Sequence, residues 1–161
     1  MKRGLMLCLI FFLFLNLCSC QTSHVPGLDW DAEEMVELHV FQGGVPADAH
    51  RKITTDPEEI QRVAKSLFAL KVERDAVNED VPCGGIGTYF SFYRADTSRE
   101  TVLVGSGGDL LYTGEGFYKL KRKISPNQDV LWDSIDAHPE LVGENQLPEI
   151  GSFPPPEAGN P

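Results

Sequence analysis

Asp56-Pro57-Glu58-Glu59-Ile60-Gln61-Arg62-Val63-Ala64-Lys65-Ser66-Leu67-Phe68-Ala69-Leu70 carries both a helix start and a helix face. Asp56 has the short carboxylate that suits an N-cap, and Pro57 at the first helical position loses no hydrogen bond there. Glu59 stands three residues after the cap, the spacing of a capping box. Ile60, Val63, Ala64, Leu67 and Phe68 then recur at helical spacing, while Gln61, Arg62, Lys65 and Ser66 fall off the stripe. The pattern predicts a helix from Pro57 to about Leu70 that needs an apolar surface to cover.

The flanking sequence supplies that surface as strands. Upstream, Glu34-Met35-Val36-Glu37-Leu38-His39-Val40-Phe41 alternates with a period of two, which would put Val36, Leu38 and Val40 on one face. Gln42-Gly43-Gly44 reads as the break, and Arg51 to Thr54 as a second short extended piece. Downstream of the acidic stretch Asp75 to Pro82, Gly87-Thr88-Tyr89-Phe90-Ser91-Phe92-Tyr93-Arg94 is rich in aromatic strand formers. Asp96-Thr97-Ser98-Arg99 turns the chain, Glu100 to Val104 returns, and Gly105-Ser106-Gly107-Gly108 turns it again. Leu110-Leu111-Tyr112 and Phe117 to Leu120 complete a meander. The expectation is an α+β domain: one main helix, residues 57–70, packed on an antiparallel sheet of about five strands. A short C-terminal helix over Asp129 to Ala137, starting near Pro126, would turn Val130, Leu131 and Ile135 inward. No internal repeat is visible.

The first twenty residues form an address. Lys2 and Arg3 precede an apolar run from Leu5 to Leu15, and Asn16-Leu17-Cys18-Ser19-Cys20 ends in small, polar residues. This is the layout of a secretory signal, and the run falls short of the roughly 20 apolar residues that a membrane-spanning helix needs. Leu17-Cys18-Ser19-Cys20 resembles the lipobox of bacterial lipoproteins, with Cys18 where Ala, Ser or Thr is commoner. The resemblance covers the leader alone. It implies that Cys20 receives a diacylglycerol, becomes the first residue of the mature chain, and can take a further acyl chain on its amino group. Two or more chains hold a protein to a membrane stably, where one does not. Gln21, which is not Asp, implies the outer membrane in a two-membraned host; in a single-membraned host the protein would sit on the outer face of the plasma membrane. Ordinary cleavage after Ser19 or Cys20, giving a freely secreted domain, is the alternative. The resulting division is a signal at 1–19, a lipidated cysteine and tether at 20–32, one domain at 33–146, and a Pro-rich tail at 147–161.

Charge and cysteine usage narrow the function. The net charge is −10 over 161 residues, and losing Lys2 and Arg3 with the leader takes it to −12. Such a chain repels phosphate backbones, so no nucleic-acid partner is expected, and Lys119-Lys121-Arg122-Lys123 reads as a solvated strand end. After processing, Cys83 is the one thiol left, with Glu79 and Asp80 nearby to raise its pKa rather than activate it.

No catalytic constellation is legible. Ser106 lies between Gly105 and Gly107, but a nucleophile elbow needs glycine two positions either side and a strand-to-helix turn. Gly84-Gly85-Ile86-Gly87 has no following helix to receive a phosphate. His24, His39, His50 and His138 are scattered; Glu37 and His39 share a strand face, half of what a metal site needs. Asp29, Asp31, Glu33 and Glu34 lack the spacing of a calcium loop. No metal and no cofactor are expected. With Phe90 and Phe92 toward the helix, Tyr89 and Tyr93 would face away, with Tyr112 alongside, a face suited to a partner protein or glycan. Alternatively the C-terminal segment covers Tyr89 and Tyr93, with Trp132 packed on them. The expected function is a lipid-anchored, extracytoplasmic envelope protein acting as a non-catalytic interaction module, bound to the membrane by its lipid and to an envelope protein by its surface. The rival is a small hydrolase-like envelope enzyme using Cys83 or Ser106.

Overall fold

The computed structural model describes residues 25–45, 49–80, 85–105, 107–123 and 131–149. The helix forms where its signals stand: α1 spans Pro57–Phe68, with Asp56 Oδ1 accepting from the Glu58 N–H at 2.8 Å. Glu59 does not close a capping box. Its carboxylate is buried and accepts instead from the Asp136 N–H at 2.9 Å, tying the segment after residue 131 to the helix.

The strands are β1 (Met35–Val45), β2 (Ala49–Thr54), β3 (Val72–Asp75), β4 (Gly85–Arg94), β5 (Arg99–Gly105), β6 (Leu110–Thr113), β7 (Gly116–Leu120) and β8 (Glu140–Val142). They form one eight-stranded sheet in the order β3-β7-β6-β5-β4-β1-β2-β8, every neighbouring pair antiparallel. This overturns the expected α+β domain with one helix on about five strands: the domain is predominantly sheet, with one helix longer than a turn among the described residues.

The missing strands are the edges. Val72-Glu73-Arg74-Asp75 is mostly charged and Glu140-Leu141-Val142 is three residues long, so neither shows alternation; short, charged strands are how sheets blunt their edges. β1 also runs past the supposed break at Gln42-Gly43-Gly44. Gly43, at φ +148°, pairs with Gly87 of β4, so the glycines lie within the ladder. Residues 131–133 are helical, and Leu131 and Ile135 are buried as expected, whereas Pro126, Asp129 and Val130 lie outside the described residues.

The main core lies between α1 and one sheet face. Ile60, Val63, Ala64 and Leu67 pack there with Leu38, Val40, Phe90, Phe92, Val102, Val104, Leu111 and Leu120. Val36 is not among them. A bulge between Met35 and Glu37 shifts the register, so Met35 is buried and Val36 is 48% exposed. Upstream, Val25 and Leu28 are buried in this core and Trp30 packs on Phe68 and Phe92 with ring centroids 4.7 and 4.6 Å away. The packed region therefore begins at least eight residues before the expected boundary at Glu33, inside the stretch read as tether. At the other end Leu147 packs on the sheet and Pro148 is buried, just past the expected limit at 146.

Lys52 is the unusual member of the helix side. It is buried, and its ammonium donates to the Trp132 and Ile135 carbonyls, both at 3.1 Å, while lying 4.9 Å from the Trp132 ring centroid. A cation at the carbonyl end of a helical turn is a favourable arrangement. Trp132 therefore belongs to the α1 side of the sheet, not to the tyrosines it was expected to cover.

Candidate functional site

The other sheet face follows from the same alternation. With Phe90 and Phe92 committed to α1, Tyr89, Ser91 and Tyr93 must point the opposite way. Register then aligns Phe41 with Tyr89, Tyr89 with Leu103, Leu103 with Tyr112, and Tyr112 with Phe117. One row of aromatic and aliphatic side chains thus crosses five adjacent strands, β1, β4, β5, β6 and β7. It continues outward as Arg51 opposite Phe41 and Glu140 opposite Arg51, where the guanidinium lies 5.9 Å from the Phe41 ring centroid and pairs with the Glu140 carboxylate.

Tyr89, Tyr93 and Tyr112 are therefore brought onto one face. They are half-buried rather than fully exposed. Tyr89 adjoins a second small cluster of Phe41, Ala49 and Val142, to which Leu147 also packs. Burial holds its phenol above the usual tyrosine range. Tyr112 stacks on Phe117 at 4.8 Å, and Tyr93 stacks on His39 at 4.7 Å. The C-terminal segment accordingly shares in covering Tyr89 through Leu147.

Beside the apolar row runs a polar one. Register places Ile53, His39, Ser91 and Thr101 in line. His39 Nε2 bonds the Glu37 carboxylate, so Glu37, His39 and Ser91 stand together as an acid, a base and a hydroxyl. This juxtaposition is invisible in the sequence, because His39 and Ser91 lie 52 positions apart and only the β1–β4 register joins them. Ser91 is fully buried, and its hydroxyl lies 3.4 Å from that of Thr101. The geometry serves sheet packing and gives a substrate no approach to that oxygen.

An ion network borders the row at the β3–β7 edge. Arg74 donates twice to Asp80, at 2.6 and 3.0 Å, and the Val77 N–H adds a bond at 2.9 Å. Arg74, more than the backbone bond, holds the Asp80 carboxyl well below the usual carboxylate range. Lys119 lies 3.1 Å from Asp109 and 3.5 Å from Asp80. The hydrogen bond to Asp109 raises the Lys119 ammonium above its ordinary value. Part of the basic cluster read as a solvated strand end is thus neutralised in place.

Cys20, Cys83, Ser106 and His24 lie outside the described residues. Among the described residues, no three His, Cys, Asp or Glu side chains group so as to hold a metal ion. None of the helices there is long and apolar enough to cross a membrane. No protein-family model, no curated protein and no solved structure matches this chain, so its own geometry carries the functional argument.

Proposed function

We propose that the chain is an extracytoplasmic envelope protein, anchored by lipid on Cys20, that acts as a non-catalytic interaction module through the sheet face opposite α1. The address rests on Lys2-Arg3, the apolar run and Leu17-Cys18-Ser19-Cys20. The observation that carries the interaction reading is the in-register row Phe41–Tyr89–Leu103–Tyr112–Phe117. An antiparallel sheet needs one apolar face for its core, and its other face ordinarily alternates to polar residues. Here the core is complete on the α1 side, yet the second face keeps aromatic residues at its centre and charged pairs at its rim. A partly apolar centre enriched in tyrosine, with a polar border, is the composition of recognition surfaces.

The test is crosslinking in intact cells, followed by recovery of the tagged, lipidated protein. One envelope protein should be recovered repeatedly and be lost with Tyr89→Ala plus Tyr93→Ala, in a variant whose circular dichroism matches the parent. Unchanged capture by the folded double variant would refute this face as the binding surface. For the anchor, Cys20→Ala should move the protein from the membrane to the soluble fraction.

A further inference from the structure

We infer that the end of the domain carrying the β4–β5 and β6–β7 turns lies against the bilayer to which the chain is anchored, with the strands upright and the tyrosine face turned sideways. This rests on the lipidation of Cys20 proposed above. Val25 is buried in the core, and the Pro26 carbonyl accepts from Thr113 Oγ1 at 2.9 Å, immediately before the β6–β7 turn. Gly27 seals the contact: at φ +74°, a Cβ there would come within 2.7 Å of Thr113 Oγ1. The chain therefore enters the fold at this end. Between Cys20 and Val25 lie Gln21, Thr22, Ser23 and His24. Five residue steps span at most about 18 Å. A leash that short keeps the end of the domain where it attaches close to the headgroups, unlike a tether reaching to residue 32.

Antiparallel register identifies what shares that end. Thr113 closes β6, Arg94 and Arg99 flank the β4–β5 turn, and Met35 opens β1 opposite Arg94. Ala76 donates to the Phe117 carbonyl, so Val77 lies beside the start of β7. Val36 and Val77, 48% and 51% exposed, are thus both at the anchored end. Apolar side chains displayed there gain by contact with the interfacial zone of a membrane. Lys121, Arg122 and Lys123 follow β7 at its other end, together with Lys71, whose carbonyl accepts from the Lys121 N–H. Tyr112 is one residue from Thr113, so the tyrosine row stands within about 10 Å of the anchored end.

The test uses the full lipidated chain in phosphatidylcholine vesicles containing a minority of phosphatidylglycerol, with Cys83→Ser so that one introduced thiol carries a fluorophore. Gly114→Cys, where a Cβ meets nothing within 4 Å, and Asp96→Cys report the anchored end; Arg122→Cys reports the other. Lipids with nitroxide headgroups should quench the labels at 114 and 96 several-fold more than the label at 122. Equal quenching at all three, stronger quenching at 122, or no quenching of vesicle-bound protein would overturn the orientation. Protein that fails to float with the vesicles, and whose mass lacks the lipid, would instead show that the anchor reading itself has failed and take the orientation with it.

Discussion

The two faces of this sheet are made from the same strands yet are built differently. On the α1 side, Leu38, Val40, Phe90, Phe92, Val102 and Val104 interlock with a helix that has no other role in the described structure than to cover them. On the far side, the row from Phe41 to Phe117 is covered in part, by a cluster of three buried residues that Leu147 joins, while Tyr89, Tyr93 and Tyr112 keep some exposure. One face is finished; the other combines packing with display. Apolar alternation accounts for the first, and it takes register across five strands to assemble the second.

The contrast can be broken most directly by truncating neighbours on β4. Phe90→Ala should cost about 3–5 kcal/mol, since it empties a fully buried site against α1, whereas Tyr89→Ala should cost about 1–2 kcal/mol because much of the ring is not enclosed. Urea denaturation of the two variants measures the difference, and equal losses would mean that the far face is a second core. Lys52→Ala comes next, at about 1–3 kcal/mol, because it strands two carbonyls that the ammonium now satisfies. A cost near zero by the same measurement would mean that the segment after residue 131 docks on α1 through Glu59 alone.

Smaller effects sharpen the picture at the rim. Thr97 sits at φ +69° in the β4–β5 turn, where a β-branched residue is strained, so Thr97→Gly should stabilise the fold by about 0.5 kcal/mol and raise the melting temperature slightly. The least is expected from Asp80. Its carboxyl is held below the roughly 3.9 of a free aspartate by Arg74, so its stabilising contribution is complete above that value and is lost as pH falls through the folded one. Comparing parent and Asp80→Asn across pH should therefore show a constant gap near neutrality that narrows only in strong acid. A gap that widens on acidification would contradict the pairing.

Much of the framework was readable from local chemistry. Asp56, Pro57 and the stripe from Ile60 to Leu67 specify α1 within a few residues, and the alternation of Tyr89 with Phe90 and of Phe92 with Tyr93 assigns both faces of β4 correctly. The misreadings share one cause, which is that a neighbour rather than the residue's own pattern sets the outcome. Gly43 continues a strand because Gly87 pairs with it. Val36 is expelled by a bulge, and Val25 and Leu28, met as tether, find a place in the core. Glu59 offered a capping box and instead holds Asp136. The same cause hid the full interaction face: three tyrosines were visible as candidates, while Phe41, Leu103 and Phe117 joined them only through pairing.

By itself, then, the sequence determined the helix, the meander from β4 to β7, the acidic charge and the leader's address, all of which depend on residues close together in the chain. Tertiary structure decided that the sheet has eight strands, where the chain enters the fold, and which residues form the row opposite α1. The physical reason is the period of two along each strand. It tells a residue which face to take, but leaves to the hydrogen-bonded register which residues become its neighbours on that face.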